Sequence, residues 1–291
     1  MNIGIISIRG PEYHPNRRLA EAATERGHRM TLVHPYRIWP AIEGDKPGLI
    51  NPLEKSALDV VLPRQGATVG DSCLALIHHF SLLGIPVVND IHAVRLAKNK
   101  FLTLLAMTAA RIPVPDTLFV NAPEAFAPAV TRLGGYPVVA KAASGRQGEG
   151  IRLVKTEKDL HSILRHGFDK YSGLLLQRFI PPAERKDIRV LTIGGQMVGA
   201  MELQPKDGDF RANFHLSGDS RAIELSPHLE ELALRAAEAV GLEIAGVDLI
   251  LGRDDRASVI EVNYAPGFRG LEAATGLDIA GKIVNYLADT Y

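Results

Sequence analysis

The chain has 291 residues, 46% of them apolar and 23% charged, the balance of a soluble globular protein long enough for two or three domains with cores of their own. Lysine plus arginine equals aspartate plus glutamate at 33 each, so net charge argues for neither a nucleic-acid nor a membrane-surface partner. No apolar run reaches the roughly 18 residues of a transmembrane helix, and the lone cysteine, Cys73, excludes an internal disulfide or a cysteine-based metal site.

The N-terminus lacks a basic segment followed by an apolar stretch, so no signal peptide is expected and the cytoplasm is the default location. Asn2 to Ser7 reads as a buried parallel strand, Arg17 to Arg26 as a helix ended by Gly27, and Arg29 to His34 as the next strand, a βαβ rhythm. The first turn carries no Gly-x-Gly-x-x-Gly, so a dinucleotide fingerprint is missing. Pro40 to Pro52 is expected to be a loop, Leu58 to Pro63 a strand, Ser72 to Leu83 a helix and Ile85 to Asn89 a fourth strand. Residues 1–92 are then a small open α/β domain.

Ala93 to Ala110 is expected to be one helix carrying Lys98 and Lys100, ended by Arg111-Ile-Pro-Val-Pro115. Asn121 with Glu124 predicts a capping box for the next helix, and Thr156 with Asp159 caps another. The strands between and after them are Pro137 to Ala142, Ile151 to Val154 and Leu174 to Ile180. The order β-α-β-β-α-β marks 93–180 as a compact α+β unit.

Residues 181–291 form a third unit. Ile188 to Ile193 and Gln196 to Glu202 make a hairpin about Gly194-Gly195. Lys206 to Gly218 is a polar loop, Ser226-Pro227 starts a helix, and a final helix begins near Asp278. Between these helices lies a second hairpin, Ile244 to Leu251 with Ser258 to Asn263. If it is symmetric about Asp254-Asp255, Asp248 faces Glu261, and Asn263 joins Glu261 on the same face. Val247, Leu249, Ile260 and Val262 then point into a core. Two carboxylates side by side call for a cation, and oxygen donors suit Mg²⁺ or Mn²⁺. A solvent-exposed polar face of an edge hairpin is the alternative.

Ser144-Gly145-Arg-Gln-Gly148-Glu-Gly150 lies between two strands, unlike a P-loop. Its glycines would let backbone N–H groups approach phosphates, with Lys141 three residues before; a plain turn is the alternative. Arg189, Arg211 and Asn213 are candidates to clamp and orient a phosphoryl group, or, for the last two, members of a solvated loop.

The order of these features resembles the ATP-grasp superfamily. Asp-Gly-Asp-Phe-Arg211-x-Asn213, Ala-Gly-Val-Asp248, Glu261-Val-Asn263-x-x-Pro-Gly and Thr-Gly-x-Asp-Ile-Ala-Gly-Lys282 are similar to the RimK-type α-L-glutamate ligases, over essentially the whole chain. The resemblance implies an ATP-grasp fold of two α+β subdomains enclosing ATP, preceded by a small α/β domain. The implied reaction is an ATP-dependent joining of an amino acid, usually glutamate in that family, to the carboxylate of a protein, peptide or coenzyme through an acyl phosphate. ATP and two Mg²⁺ or Mn²⁺ ions are implied, and a dimer or tetramer.

Residue roles follow from the same resemblance. Lys100 and Lys141 contact phosphates, as does the glycine hairpin with Gly145, Gly148 and Gly150. Gln177-Arg178-Phe179-Ile180 holds adenine by backbone bonds, and Asp187 holds the ribose. Arg211 and Asn213 bind the γ-phosphate and the acyl phosphate, Arg189 lies near the transferred group, and Asp248, Glu261 and Asn263 bind metal. Two departures stand out. The family hinge usually reads Gln-Glu where this chain has Gln177-Arg178. Where the glutamate ligase of ribosomal protein carries two arginines, this chain has Leu203-Gln204, which points to a neutral donor unless Arg64 or Arg269 supplies the charge. An ATP-grasp ligase of another branch making a small peptide, and a non-catalytic ATP-binding regulatory protein, are the other readings.

Overall fold

A computed structural model describes residues 1–50, 57–64, 70–143, 150–166, 173–205, 209–210 and 220–291. Its first sheet is parallel. Strand β1 (Asn2–Ile6), helix α1 (His14–Glu25) and strand β2 (Arg29–Val33) form the expected βαβ start. The segment expected to be a loop is instead a hairpin, β3 (Trp39–Glu43) and β4 (Lys46–Ile50), with Glu43 opposite Lys46 across the two-residue turn Gly44-Asp45. Gly44 has φ +66°, which suits a tight hairpin turn. Two prolines sit in this ladder, Pro40 and Pro47. A two-stranded ribbon tolerates them because every strand is an edge.

Strand β5 (Val60–Pro63) completes the sheet in the order β2-β1-β5. Helix α2 (Asp71–Leu82) follows and buries Cys73, whose thiol is pushed up to about 11 by that burial. The fourth strand is reduced to one parallel bridge, Val61 with Val87.

The long helix expected over 93–110 is two helices, α3 (Ile91–Lys98) and α4 (Lys100–Ala109). Asn99 breaks them. Its backbone is extended, and its side chain accepts from the N–H groups of Phe101 and Leu102, an N-cap for α4. The break puts Lys100 at a helix start, with its own N–H on the carbonyl of Ala143 at 2.8 Å.

The second sheet has the order β6-β9-β7-β8 and is antiparallel throughout. Its elements are β6 (Thr117–Val120), α5 (Phe126–Arg132), β7 (Val138–Ala142), β8 (Ile151–Val154), α6 (Glu157–His166) and β9 (Leu174–Arg178). The capping box at Thr156 forms as expected: Asp159 Oδ2 accepts from the Thr156 N–H at 2.9 Å and Thr156 Oγ from that of Asp159 at 3.3 Å. The one expected at Asn121 does not. A short 3₁₀ turn, Pro123–Ala125, intervenes, and no side chain caps it or α5.

The third sheet, β12-β11-β10-β13-β14, is also antiparallel. It comprises β10 (Arg185–Ile193), β11 (Gln196–Leu203), β12 (Ser220–Ala222), β13 (Ile244–Gly252) and β14 (Ala257–Asn263). Helix α7 (Pro227–Val240) precedes β13, and α8 (Arg269–Thr275) and α9 (Ile279–Thr290) follow β14. Ser226 caps α7, and Gly241, at φ +76°, ends it. One face of this sheet buries Ile188, Val190, Val247, Leu249 and Val262 against Leu232, Ala233 and Ala236 of α7. The other face is divided along its length. Leu191, Ile193, Met201 and Ile244 pack with Ile279 and Ile283 of α9 and with Leu19 of α1. The far half of that face carries the charged residues described next.

Asn89 joins the first and third units. It is 1% exposed. Its Nδ2 donates to the carbonyls of Ile244 and Tyr264 at 2.8 and 2.9 Å, and its Oδ1 accepts from the N–H groups of Glu243 and Ile244 at 2.7 and 2.9 Å.

Candidate active site

Strand register builds the centre of the site. Arg189 on β10 faces Asp248 on β13, and Asp248 faces Glu261 on β14. Three charged side chains thus stand in one row across three strands. The guanidinium of Arg189 donates twice to Asp248, Nε to Oδ1 at 2.7 Å and Nη2 to Oδ2 at 2.8 Å, a bidentate pair. Asn263 Nδ2 reaches Asp248 Oδ2 at 3.4 Å. The three proposed metal residues therefore share one face, as the symmetric register predicts.

That agreement rests on two offsets that cancel. The register slips by one residue between Asp248 and Leu249, and the turn end pairs Leu251 with Ala257. The bulge changes which residues face the core: Val259 is fully buried, while Ile260, expected there, is only half-buried.

Lys100 closes the row from the helical side, its Nζ 2.5 Å from Glu261 Oε1. Burial pushes the Glu261 carboxyl up. The charge and hydrogen bond of Lys100, with Lys141 and Arg189 behind them, more than reverse this and hold it below the usual carboxylate range. Burial lowers Arg189, but Asp248 outweighs it and raises its pKa.

The second sheet supplies the opposite wall. Lys141 lies on β7 and donates from Nζ to Gln177 Oε1 at 2.6 Å; Gln177 Nε2 in turn donates to Thr117 Oγ1 at 2.9 Å. Burial pushes Lys141 down to about 8, with Glu261, Lys100, Arg185 and Asp248 all acting on it. The field of the third sheet thus reaches the second. Gly150 has φ +81°, and a Cβ there would lie 3.4 Å from that of Ala142, so glycine suits this end of the hairpin. Gly145 and Gly148 lie outside the described residues, as do Arg211 and Asn213.

At the hinge, Gln177 is 4% exposed. Arg178 is at the surface and pairs with Asp116 at 3.4 Å, and its N–H donates to the carbonyl of Asp116. Phe179 meets Phe210 edge to face at 6.0 Å. Sequence reading missed Arg185. Its Nε contacts both oxygens of Asp187 at 3.1 Å, its Nη2 donates to the Phe210 carbonyl at 2.7 Å, and its Nη1 donates to the Ile180 carbonyl. One arginine thus connects hinge, proposed ribose residue and loop. The available signal was Arg-x-Asp-x-Arg at strand spacing, which puts Arg185, Asp187 and Arg189 on one face. Burial raises the Asp187 carboxyl despite Arg185.

Leu203 faces Asp187 across β10 and β11. It is 3% exposed and belongs to an apolar cluster, while Gln204 is exposed beyond the strand end.

Among the described residues no three His, Cys, Asp or Glu side chains gather that could hold a metal ion. Asp248, Glu261 and the amide oxygen of Asn263 are nevertheless hard oxygen donors on one face, with two negative charges, and fit a hard divalent ion.

Two family profiles span this architecture: a RimK PreATP-grasp domain over residues 1–94 and a RimK-like ATP-grasp domain over 97–287. The chain belongs to the RimK-like ATP-grasp family. RimK-like proteins similar to it include a probable alpha-L-glutamate ligase of Methanococcoides burtonii, 35% identical over 289 residues, covering 99% of this chain and 95% of the relative. Another is a probable alpha-L-glutamate ligase of Azotobacter vinelandii, 34% identical over 290 residues, with the same coverage of 99% and 95%. Among solved structures, a RimK-domain ATP-grasp protein from Sphaerobacter thermophilus superposes with a TM-score of 0.77 at 26% identity, over 98% of this chain and 99% of that one. A D-alanine–D-alanine ligase of Bacillus anthracis shares the fold alone, with a TM-score of 0.73 at 16% identity, over 100% and 97% of the two chains. This RimK-like chain is thus an ATP-dependent carboxylate–amine ligase. Among the described residues no helix is long and apolar enough to cross a membrane.

Proposed function

We propose that the chain joins an amino acid to the carboxylate of a peptide or protein, at the face where Arg189, Asp248, Glu261 and Asn263 meet Lys100 and Lys141. The observation that carries this reading is the charged row, Arg189 to Asp248 to Glu261, set opposite a half-buried lysine of another sheet. It offers both signs of charge in one cleft, as a phosphoryl-transfer site requires.

The proposed division of labour combines the positions of the described residues with the sequence motifs. Lys100 and Lys141 attract the phosphates of ATP. Gln177 to Ile180 border the base, and Asp187, fixed by Arg185, faces the sugar. Asp248, Glu261 and Asn263 hold Mg²⁺, two ions in this proposal, which when bound neutralises charge on the transferred group. A carboxylate is a poor electrophile, so the γ-phosphoryl group passes to it first and gives an acyl phosphate. The amine then attacks the acyl carbon and phosphate leaves. Arg189 lies where it can stabilise the oxyanion of that step, with Arg211 and Asn213 assigned to the phosphoryl oxygens. The glycine-rich stretch Ser144 to Gly150 is assigned, from its sequence alone, to keeping water from hydrolysing the intermediate.

We assign 1–92 to the pre-ATP-grasp unit, 93–180 to the central subdomain and 181–291 to the C-terminal one. We place the enzyme in the cytoplasm, with its ATP supply, as a dimer or tetramer. The deciding experiment screens amino acids and acceptor peptides for stimulated ADP release and weighs the product by mass spectrometry. A mass increase of one or more amino-acid residues on the acceptor supports the reading. ADP release indifferent to every amino acid opposes it.

A further inference from the structure

Phe268 is flanked by two side chains from the N-terminal unit. The Arg64 guanidinium carbon lies 5.6 Å from the centre of its ring, and the His14 ring meets it edge-on at 5.8 Å. Arg64 directly follows β5, and its N–H donates to the carbonyl of Ile6 at the end of β1. It therefore leaves the sheet at the carboxyl ends of parallel strands, the edge where open α/β sheets bind ligands.

The side chain is only 8% exposed. Its Nη2 donates to the carbonyl of Pro266 at 2.6 Å. Its Nε is buried without a hydrogen-bond partner, and among the described residues no carboxylate pairs with it. Burial pushes the guanidinium down to about 10, yet it stays charged at neutral pH. A buried cation without a counter-ion is costly and calls for an anion.

Helix α1 starts beside it. β1 and β5 are neighbours, with Ile6 opposite Pro63, and no side chain caps the N-terminus of α1 at Tyr13. Its first N–H groups add partial positive charge to the same edge. The first turn also holds two buried polar atoms without partners, His14 Nδ1 and Asn16 Oδ1. This corner adjoins the charged row. A Cβ on Gly246 would lie 2.7 Å from that of Pro266 and 3.8 Å from that of Asn263, and Gly246 pairs with Asn263.

We propose that Arg64, with the N-terminus of α1, binds the α-carboxylate of the amino acid that this ligase adds. The inference rests on the ligase reading above and supplies what Leu203 and Gln204 do not, a cation for an amino-acid substrate. The α-carboxylate is one carbon away from the attacking amine. Anchoring it one residue layer from Asn263 would aim that amine at the acyl phosphate.

The test follows the Arg64 Nε–H resonance of the full-length protein labelled with [¹⁵N]arginine, assigned by its loss in Arg64→Lys. The titrants are a mixture of the twenty standard L-amino acids and the same mixture as carboxamides. The acids should move the resonance and the amides should not. No movement with either mixture, or equal movement with both, overturns the proposal. In parallel, Arg64→Met should raise the KM for the stimulating amino acid roughly ten- to a hundredfold while ATP affinity stays unchanged; an unchanged KM also overturns it. If the acids move the resonance but no amino acid stimulates ADP release in the unmodified enzyme, the ligase reading fails while the carboxylate subsite stands. The wild-type titration decides the matter even if Arg64→Met fails to fold.

Discussion

Lys100 Nζ lies 2.5 Å from Glu261 Oε1, an ion pair between the first residue of α4 and strand β14, which carries two of the proposed metal residues. The lysine has two claimants in the proposed reaction, the carboxylate it now faces and the phosphates of ATP. Lys100→Met should therefore act in opposite directions on two ligands. ATP affinity should fall on the order of tenfold or more, for loss of a charge-assisted contact. Mg²⁺ affinity without nucleotide should rise, because Glu261 loses its competing cation. Calorimetric titration of each ligand checks this, and a variant that binds both like the wild type would remove Lys100 from the site.

Arg189 contacts Asp248 through two parallel bonds. Lysine can keep the charge but not the fork. Arg189→Lys should lower the turnover of amino-acid-dependent ADP release by about a hundredfold, the scale of removing one oxyanion donor. The KM for ATP should change little, since the phosphates have Lys100 and Lys141. A loss confined to KM would move Arg189 from the reacting group to nucleotide binding.

Lys141 gives a pH dependence with a definite sign. Its pKa is lowered to about 8, mainly by burial, against an ordinary lysine value of 10.5. The folded protein therefore binds fewer protons than the unfolded chain between those values, and stability should rise with pH across that window. ATP binding should run the other way. Phosphates favour the charged lysine, so affinity should weaken as pH rises through about 8, by up to roughly tenfold per pH unit. Lys141→Met should weaken ATP at neutral pH and flatten this profile. A profile equally steep in the variant would assign the titration to another group.

Asn89 tests the junction between the units. Its four hydrogen bonds satisfy both polar atoms of its side chain in a fully buried place. Asn89→Leu would strand the partners on Glu243, Ile244 and Tyr264, at about 1–3 kcal/mol for each group left unsatisfied. The melting temperature should drop well beyond that of a surface control such as Arg17→Ala. An equal melting temperature would show that the two units do not depend on this contact.

Several of these relationships were legible in the sequence, and the reasons differ. The shared face of Glu261 and Asn263 was legible because side chains alternate along a strand, and Asp248 joined them because the bulge and the offset turn cancel. The Val259 bulge was not, because pairing register depends on the turn and on packing of the opposite face. The β3–β4 hairpin was hidden by Pro40 and Pro47, although Gly44-Asp45 carried the turn signal. Asn99 looked like an ordinary helical residue, since its cap matters only once Lys100 is drawn toward Ala143 and Glu261. The buried, unpaired Nε of Arg64 could not be read at all, because burial of one guanidinium is a tertiary fact. Gly145, Gly148, Arg211 and Asn213 rest on the sequence motifs.

The central claim is that one cleft couples ATP cleavage to amide formation through the Asp248–Glu261 row. It is tested most directly by measuring ADP release by the wild type, Asp248→Asn and Glu261→Gln, with and without amino acids and an acceptor peptide, and weighing the peptide afterwards. The account predicts that wild-type ADP release requires amino acid and acceptor, matches the added residues one for one, and is lost in both variants. Amide product formed at wild-type rate by Glu261→Gln, or ADP released by the wild type without any change in acceptor mass, would contradict it.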